Sequence, residues 1–124
     1  MHAMIVEDSQ TMQRVLSATL ASLGFTTCSA TDVWAAVLLL DHGRPPDLIV
    51  VDHNLPGPSG LDFVATVRAS ALPCQPRVLM VSAESGRVFV EGALAVGVDE
   101  YLFKPFTPDA LCSKLTLLGL LQPL

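Results

Sequence analysis

The stretch Asp47-Leu48-Ile49-Val50-Val51-Asp52, continued by His53-Asn54-Leu55-Pro56-Gly57-Pro58-Ser59-Gly60, decides the fold. Its interior is apolar without interruption. A strand with one wet face alternates polar and apolar residues, whereas a strand covered on both faces does not. The run is too short for a helix, and it leads into a loop with two prolines and two glycines. Asp47 to Asp52 therefore reads as a central parallel strand, and it delivers a carboxylate to the rim of a sheet.

The same pattern recurs on both sides. Met4-Ile5-Val6 runs into Glu7-Asp8, Val78-Leu79-Met80-Val81 into Ser82, and Tyr101-Leu102-Phe103 into Lys104-Pro105. Helical signals lie between these runs. Ser9 can cap a helix with Met12, Val15, Leu16, Leu20 and Leu23 on one face, ended by Gly24. Phe25 to Ser29 reads as a short strand. Thr31 can cap a helix from Asp32 to about His42, closed by Gly43-Arg44-Pro45-Pro46. Helices are also expected over Leu61 to Ala69, over Arg87 to Val96 before Gly97, and after Thr107-Pro108. Strands are expected over His2 to Val6, Arg77 to Ser82 and Asp99 to Phe103.

Strict alternation gives an α/β fold, (βα)5, with a doubly wound parallel five-stranded sheet, right-handed crossovers and helices on both faces. Such sheets carry their sites at the carboxyl ends of the strands, beside the switch in strand order. The charged strand-end residues stand there.

With 124 residues the chain is long enough for one domain with its own core, and it shows no repeat or linker, so residues 1–124 are expected to form a single unit. An apolar fraction of 51% and a mean hydropathy of +0.52 fit a globular chain. A net charge of −5 opposes direct nucleic-acid binding. The longest apolar run, Trp34 to Leu40, is too short to span a bilayer, and no secretory leader is recognised, so a cytoplasmic location is expected. Cys28, Cys74 and Cys112 have neither disulfide nor zinc spacing and read as small hydrophobes.

Glu7, Asp8 and Asp52 gathered at one edge would repel one another and raise each other's pKa values. Hard oxygen ligands favour Mg²⁺, with Mn²⁺ as a substitute. A carboxylate such as Asp52 can attack phosphorus to give an acyl phosphate. Ser82 and Lys104 could then offer a hydroxyl and an ammonium to phosphoryl oxygens. Lys104 is one of only two lysines in the chain.

Glu7-Asp8, Asp52, Ser82 and Lys104-Pro105 on five strand–helix units resemble the receiver domain of two-component response regulators, chemotaxis-like in type. Asp52 to Gly60 resembles the family's Asp-x-x-Met-Pro-x-x-x-Gly, with Leu55 in place of Met. Ala95 to Phe106 resembles its Gly-Ala-x-Asp-Tyr-x-x-Lys-Pro-Phe. The resemblance covers nearly the whole chain. It implies the flavodoxin-like strand order 2-1-3-4-5. It also implies a phosphoprotein in a phosphorelay, which catalyses only its own phosphorylation and dephosphorylation and is not otherwise an enzyme. Asp52 is then the phosphoacceptor for a histidine kinase or histidine phosphotransfer protein. Asp8, Asp52 and the backbone carbonyl of Asn54 are implied metal ligands, with Glu7 helping through water. Ser82 and Tyr101 are the implied switch, Lys104 the implied partner of the phosphoryl group, and Lys104–Pro105 an expected cis peptide. Asn54 and Glu84 match positions that tune dephosphorylation, so a short-lived phosphoryl group is expected.

Taken singly, Glu7 and Asp8 could be solvated loop acids, Ser82 a cap, Tyr101 a half-buried strand aromatic and His53 a rim residue. Trp34, Leu38 and Leu39 should point away from the sheet-facing Val33, Ala36, Val37 and Leu40. With Phe89, Val90, Leu117, Leu120 and Leu121 they are candidates for a downstream partner's surface or a weak homodimer, against a plain monomer. In the family, the fourth helix, fifth strand and fifth helix carry such contacts. Rival readings are a receiver controlling an attached output domain, and an aspartyl-nucleophile phosphatase. The phosphatase would need a general acid where Asn54 stands. A flavin-binding module would need a richer phosphate loop than Ser9-Gln10-Thr11.

Overall fold

The protein is described here by a computed structural model of residues 1–122. Strands β1 (His2–Val6), β2 (Thr26–Ala30), β3 (Leu48–Asp52), β4 (Arg77–Ser82) and β5 (Glu100–Phe103) alternate with helices α1 (Gln10–Ser22), α2 (Val33–His42), α3 (Gly60–Ala69), α4 (Arg87–Val96) and α5 (Pro108–Leu117). All strands pair in parallel, in the order β2-β1-β3-β4-β5.

Two cores follow from the two faces of the sheet. Met4, Val6, Ile49, Val51, Val78 and Met80 point to one side, against Val33, Ala36 and Leu40 of α2, Phe63, Val64 and Val67 of α3, and Ala93 of α4. Ala3, Ile5, Leu48, Val50, Leu79 and Val81 point to the other, against Leu16 and Leu20 of α1 and Leu111 and Leu115 of α5. Each fully buried leucine contributes about 2 kcal/mol of transfer free energy.

Several boundaries differ from the sequence expectation, each for a local reason. The second helix is capped by Asp32, not Thr31, because the Asp32 carboxylate accepts from the Ala35 N–H at 2.8 Å. The third is capped by Ser59 in a reciprocal box with Asp62. Asp47 and Asp99 lie just outside β3 and β5. The Asp47 carboxylate accepts from the His2 N–H at 2.7 Å, and that of Asp99 from the Val78 N–H at 2.8 Å. The second strand starts at Thr26, paired with His2, while Phe25 is buried ahead of it. Val15 is exposed, because the buried stripe of α1 runs through Leu16 and Leu20. Trp34 and Leu38 face solvent as expected, whereas Leu39 packs against the core.

Arg68, at the last turn of α3, ties the far end of the sheet together. Its guanidinium donates to the carbonyls of Gly97 (2.8 and 2.9 Å) and Pro76 (2.8 Å), to Gln75 Oε1 (3.0 Å) and to Asp99 Oδ2 (2.9 Å). One planar fork thus joins α3, the start of β4 and the turn before β5. Arg68→Ala is expected to lower stability by about 2–3 kcal/mol, read as an earlier urea midpoint. Arg68→Lys should recover little of it, since an ammonium cannot span the fork.

Candidate functional site

Register brings the strand-end residues level. Val6 pairs with Val51, so Glu7 and Asp52 leave the sheet side by side. Asp52 pairs with Val81, and Ser82 with Phe103, which puts Ser82 and Lys104 at the same edge. The carboxylates of Glu7, Asp8 and Asp52 offer oxygens within 4.8 Å of one another. Glu7 is 2% exposed and Asp52 9%, while Asp8 is open to solvent.

Lys104 Nζ sits between the two buried acids, donating to Glu7 Oε1 at 2.7 Å and to Asp52 Oδ2 at 2.9 Å. The other oxygen of Asp52 accepts from the Asn54 N–H at 3.0 Å. The chain then folds back, with the Gly60 N–H donating to the His53 carbonyl. A side chain at position 60 would run into the Asp52 carbonyl, so only glycine lets the loop close on the end of β3. Gly57, at φ +78°, lies under the Trp34 ring with no room for a Cβ. The place of Gly60 in the motif is the one sign of the first contact in the sequence, and the second leaves none.

On the other flank, Ser82 is fully buried and its Oγ accepts from the Glu84 N–H at 3.0 Å. Tyr101 is turned inward and buried, and its hydroxyl donates to the Glu84 carbonyl at 3.0 Å. Ser82 and Tyr101 therefore hold two ends of one residue. The Lys104–Pro105 peptide is cis. His53 is not a bare rim residue: its ring is half-buried against Phe89. Asn54 is exposed and Glu84 half-buried.

Burial pushes the Glu7 carboxyl up to about 7; its neighbour Asp52 adds to the rise and Lys104 opposes it. For Lys104, burial is the largest influence and pulls downward. Hydrogen bonds and charges from Glu7 and Asp52 outweigh it, and the net shift is upward. A carboxyl whose pKa is higher folded than unfolded favours folding only while protonated. The penalty is absent below its ordinary value of 4.5, grows as pH rises and is complete above about 7. Such a shift corresponds to on the order of 3 kcal/mol. The metal-free protein is therefore expected to be more stable at pH 5 than at pH 8. Added Mg²⁺ should raise the thermal midpoint more at pH 8; equal shifts at both would contradict this.

The donor set fits a hard divalent cation. Three carboxylates converge, and Glu7 Oε2 is buried without a hydrogen-bond partner among the described residues. A groove of about 700 Å³ lies elsewhere, between Leu23 and the α5 residues Cys112, Thr116 and Leu117, and shares no residue with this cluster.

Residues 3–116 match the family described as response regulator receiver domain. The chain belongs to this family. The chemotaxis protein CheY of Pseudomonas aeruginosa is 37% identical to this receiver domain over 115 residues, covering 93% of each chain. CheY-3 of Vibrio cholerae is 38% identical over 116 residues, 93% of this chain and 88% of its own. Among solved structures, CheY4 of Vibrio cholerae superposes with a TM-score of 0.85 at 30% identity, covering 97% of this chain and 98% of its own. This receiver domain is thus CheY-like in sequence and in its flavodoxin-like fold. None of its described helices is long and apolar enough to cross a membrane.

Proposed function

We propose that this receiver domain accepts a phosphoryl group on Asp52 from the phosphohistidine of a histidine kinase or phosphotransfer protein, in a Mg²⁺-dependent reaction, and relays the change to a downstream protein. The observation that carries the reading is the Lys104 ammonium bridging Glu7 and Asp52 beside the orphaned oxygen of Glu7. An Asp52 carboxylate oxygen attacks phosphorus, an acyl phosphate O–P bond forms, and the donor's P–N bond breaks with its electron pair leaving on the imidazole. Glu7, Asp8, Asp52 and the Asn54 carbonyl would hold the cation, which when bound neutralises charge on the phosphoryl oxygens.

The remaining work falls to the chain itself. The Asn54 N–H fixes one oxygen of Asp52, which limits the geometries of attack. Lys104, already at Asp52, can swing onto a phosphoryl oxygen and balance its charge. The Ser82 hydroxyl proton is free to point to another such oxygen, because its Oγ only accepts from Glu84. Any shift of Ser82 pulls on Glu84, whose carbonyl holds Tyr101. Tyr101 packs on Phe103 at 5.3 Å, and Phe103 is 45% exposed. This chain of contacts supports a signal reaching the α4–β5–α5 face. Exposed Asn54 and half-buried Glu84 flank the site and would set how fast water removes the phosphoryl group.

Incubation with acetyl phosphate and Mg²⁺, followed by intact mass and peptide mapping, tests the reading. One phosphoryl adduct on the peptide holding Asp52, lost with chelator, is expected. Its absence would overturn the proposal. Steady turnover of a phosphomonoester would favour the phosphatase reading instead, against the placement of Asn54 two residues after Asp52.

A further inference from the structure

Four helices of this domain have a side-chain cap at their N-terminus: Ser9 for α1, Asp32 for α2, Ser59 for α3 and Thr107 for α5. Helix α4 has none. Its cap position is Gly86, and no side chain takes up its first N–H groups. Besides the backbone bonds from the Phe89 and Val90 N–H groups to the Gly86 carbonyl and the exposed Arg87–Glu91 pair, an aromatic contact braces that turn. Phe89 lies against Gly86, where a Cβ would come within 3.3 Å of the ring. The same ring meets His53 in an edge-to-face pair, with centroids 5.8 Å apart and planes at 69°.

His53 is well placed to transmit motion, because it directly follows Asp52 and its backbone is held on both sides. Its N–H donates to the Val81 carbonyl at 3.2 Å, and its carbonyl accepts from the Gly60 N–H at 3.1 Å. Its Nδ1 is buried without a hydrogen-bond partner among the described residues, so packing rather than hydrogen bonding at that atom orients the ring.

We propose that His53 is a positioning residue that ties the first turn of α4 to the phosphoacceptor strand through Phe89. It forms a second route from Asp52 to the α4 face, separate from Ser82, Glu84 and Tyr101. A displacement of the Asp52 backbone moves the His53 ring, and an uncapped turn follows at little cost, since no capping bond must break. The signalling part of this inference rests on the phosphoacceptor reading above; the tether itself does not.

Amide hydrogen exchange at Phe89 to Glu91 separates the two. In the unphosphorylated protein, His53→Ala is expected to speed exchange there by roughly threefold to tenfold, the range for loss of one edge-to-face pair. His53→Phe should restore wild-type rates, because the ring contact, and not the nitrogen, does the holding. Phe89→Ala removes the contact from the other side and should match His53→Ala, which covers the case of one variant failing to fold. With Mg²⁺ and beryllofluoride, a phosphoryl mimic, Tyr101→Phe should still show a changed exchange at α4, whereas Tyr101→Phe with His53→Ala should not. Unchanged exchange in His53→Ala and Phe89→Ala, or His53→Phe behaving like His53→Ala, would overturn the tether. An intact tether with no Asp52 adduct in the native protein would instead count against the phosphoacceptor reading.

Discussion

Asp52→Asn is expected to abolish the phosphoryl adduct while leaving the metal-free protein as stable as the native one or more so. An amide oxygen is a poor nucleophile, so adduct should fall at least about a hundredfold. Glu7 and Asp8 do not rescue it in this geometry. Glu7 is buried and faces Lys104, and Asp8 lacks the N–H clamp that Asn54 gives Asp52. The stability arm separates this outcome from misfolding. Asp52 is one of the groups that push Glu7 up to about 7. Removing its charge lowers the Glu7 pKa toward its ordinary value and leaves Lys104 to pair with Glu7 alone. The penalty above neutral pH shrinks, and stability at pH 8 should rise by about 1 kcal/mol. Denaturant midpoints with and without Mg²⁺ check this, and the response to Mg²⁺ should be smaller than in the native protein. A variant that keeps the adduct would move the phosphoacceptor to another acid.

Lys104→Ala should give the largest loss of stability, and a strongly pH-dependent one. Lys104 is the cation within ion-pair distance of Glu7 and Asp52 among the described residues. Without it, two buried carboxylates face each other unpaired, and breaking such a pair costs about 3–5 kcal/mol. The sign with pH follows from Glu7. Its folded pKa, already about 7, would rise further once the opposing charge of Lys104 is gone. The variant should therefore approach native stability near pH 5, where Glu7 is protonated in both, and fall away as pH rises. Mg²⁺ should recover much of the loss, since a divalent cation answers the same repulsion. Thermal midpoints between pH 5 and pH 8 test it. A loss of equal size across that range would mean that the lysine acts by packing and not by charge.

Much of this molecule is legible in the order of its residues. The uniform run Leu48 to Val51 marks a strand covered on both faces, and the alternation around it leaves a doubly wound sheet as the solution. The strand-end rule then singles out Glu7, Asp8, Asp52, Ser82 and Lys104. These are signals of short range, carried by neighbouring residues. Boundaries shift where two candidates compete within one turn, as with Thr31 and Asp32, because the winner is the side chain whose carboxylate reaches the N–H of Ala35. Val15 departs from the expected stripe because one apolar residue beside a stripe fits the helical period nearly as well as one within it.

What sequence alone determined is the list of strand-end groups and the chemistry open to them. Tertiary structure decided how they are paired. Lys104 and Glu7 lie 97 positions apart, and only the stacking of β1, β3, β4 and β5 in register puts them 2.7 Å from each other. It also decided that Glu7 is buried with a spare oxygen, that Glu84 joins Ser82 to Tyr101, that Arg68 closes the far end and that His53 meets Phe89. Local propensity acts over a few residues, whereas burial and ion pairing depend on which distant segments share a face. That information exists only once the sheet is assembled.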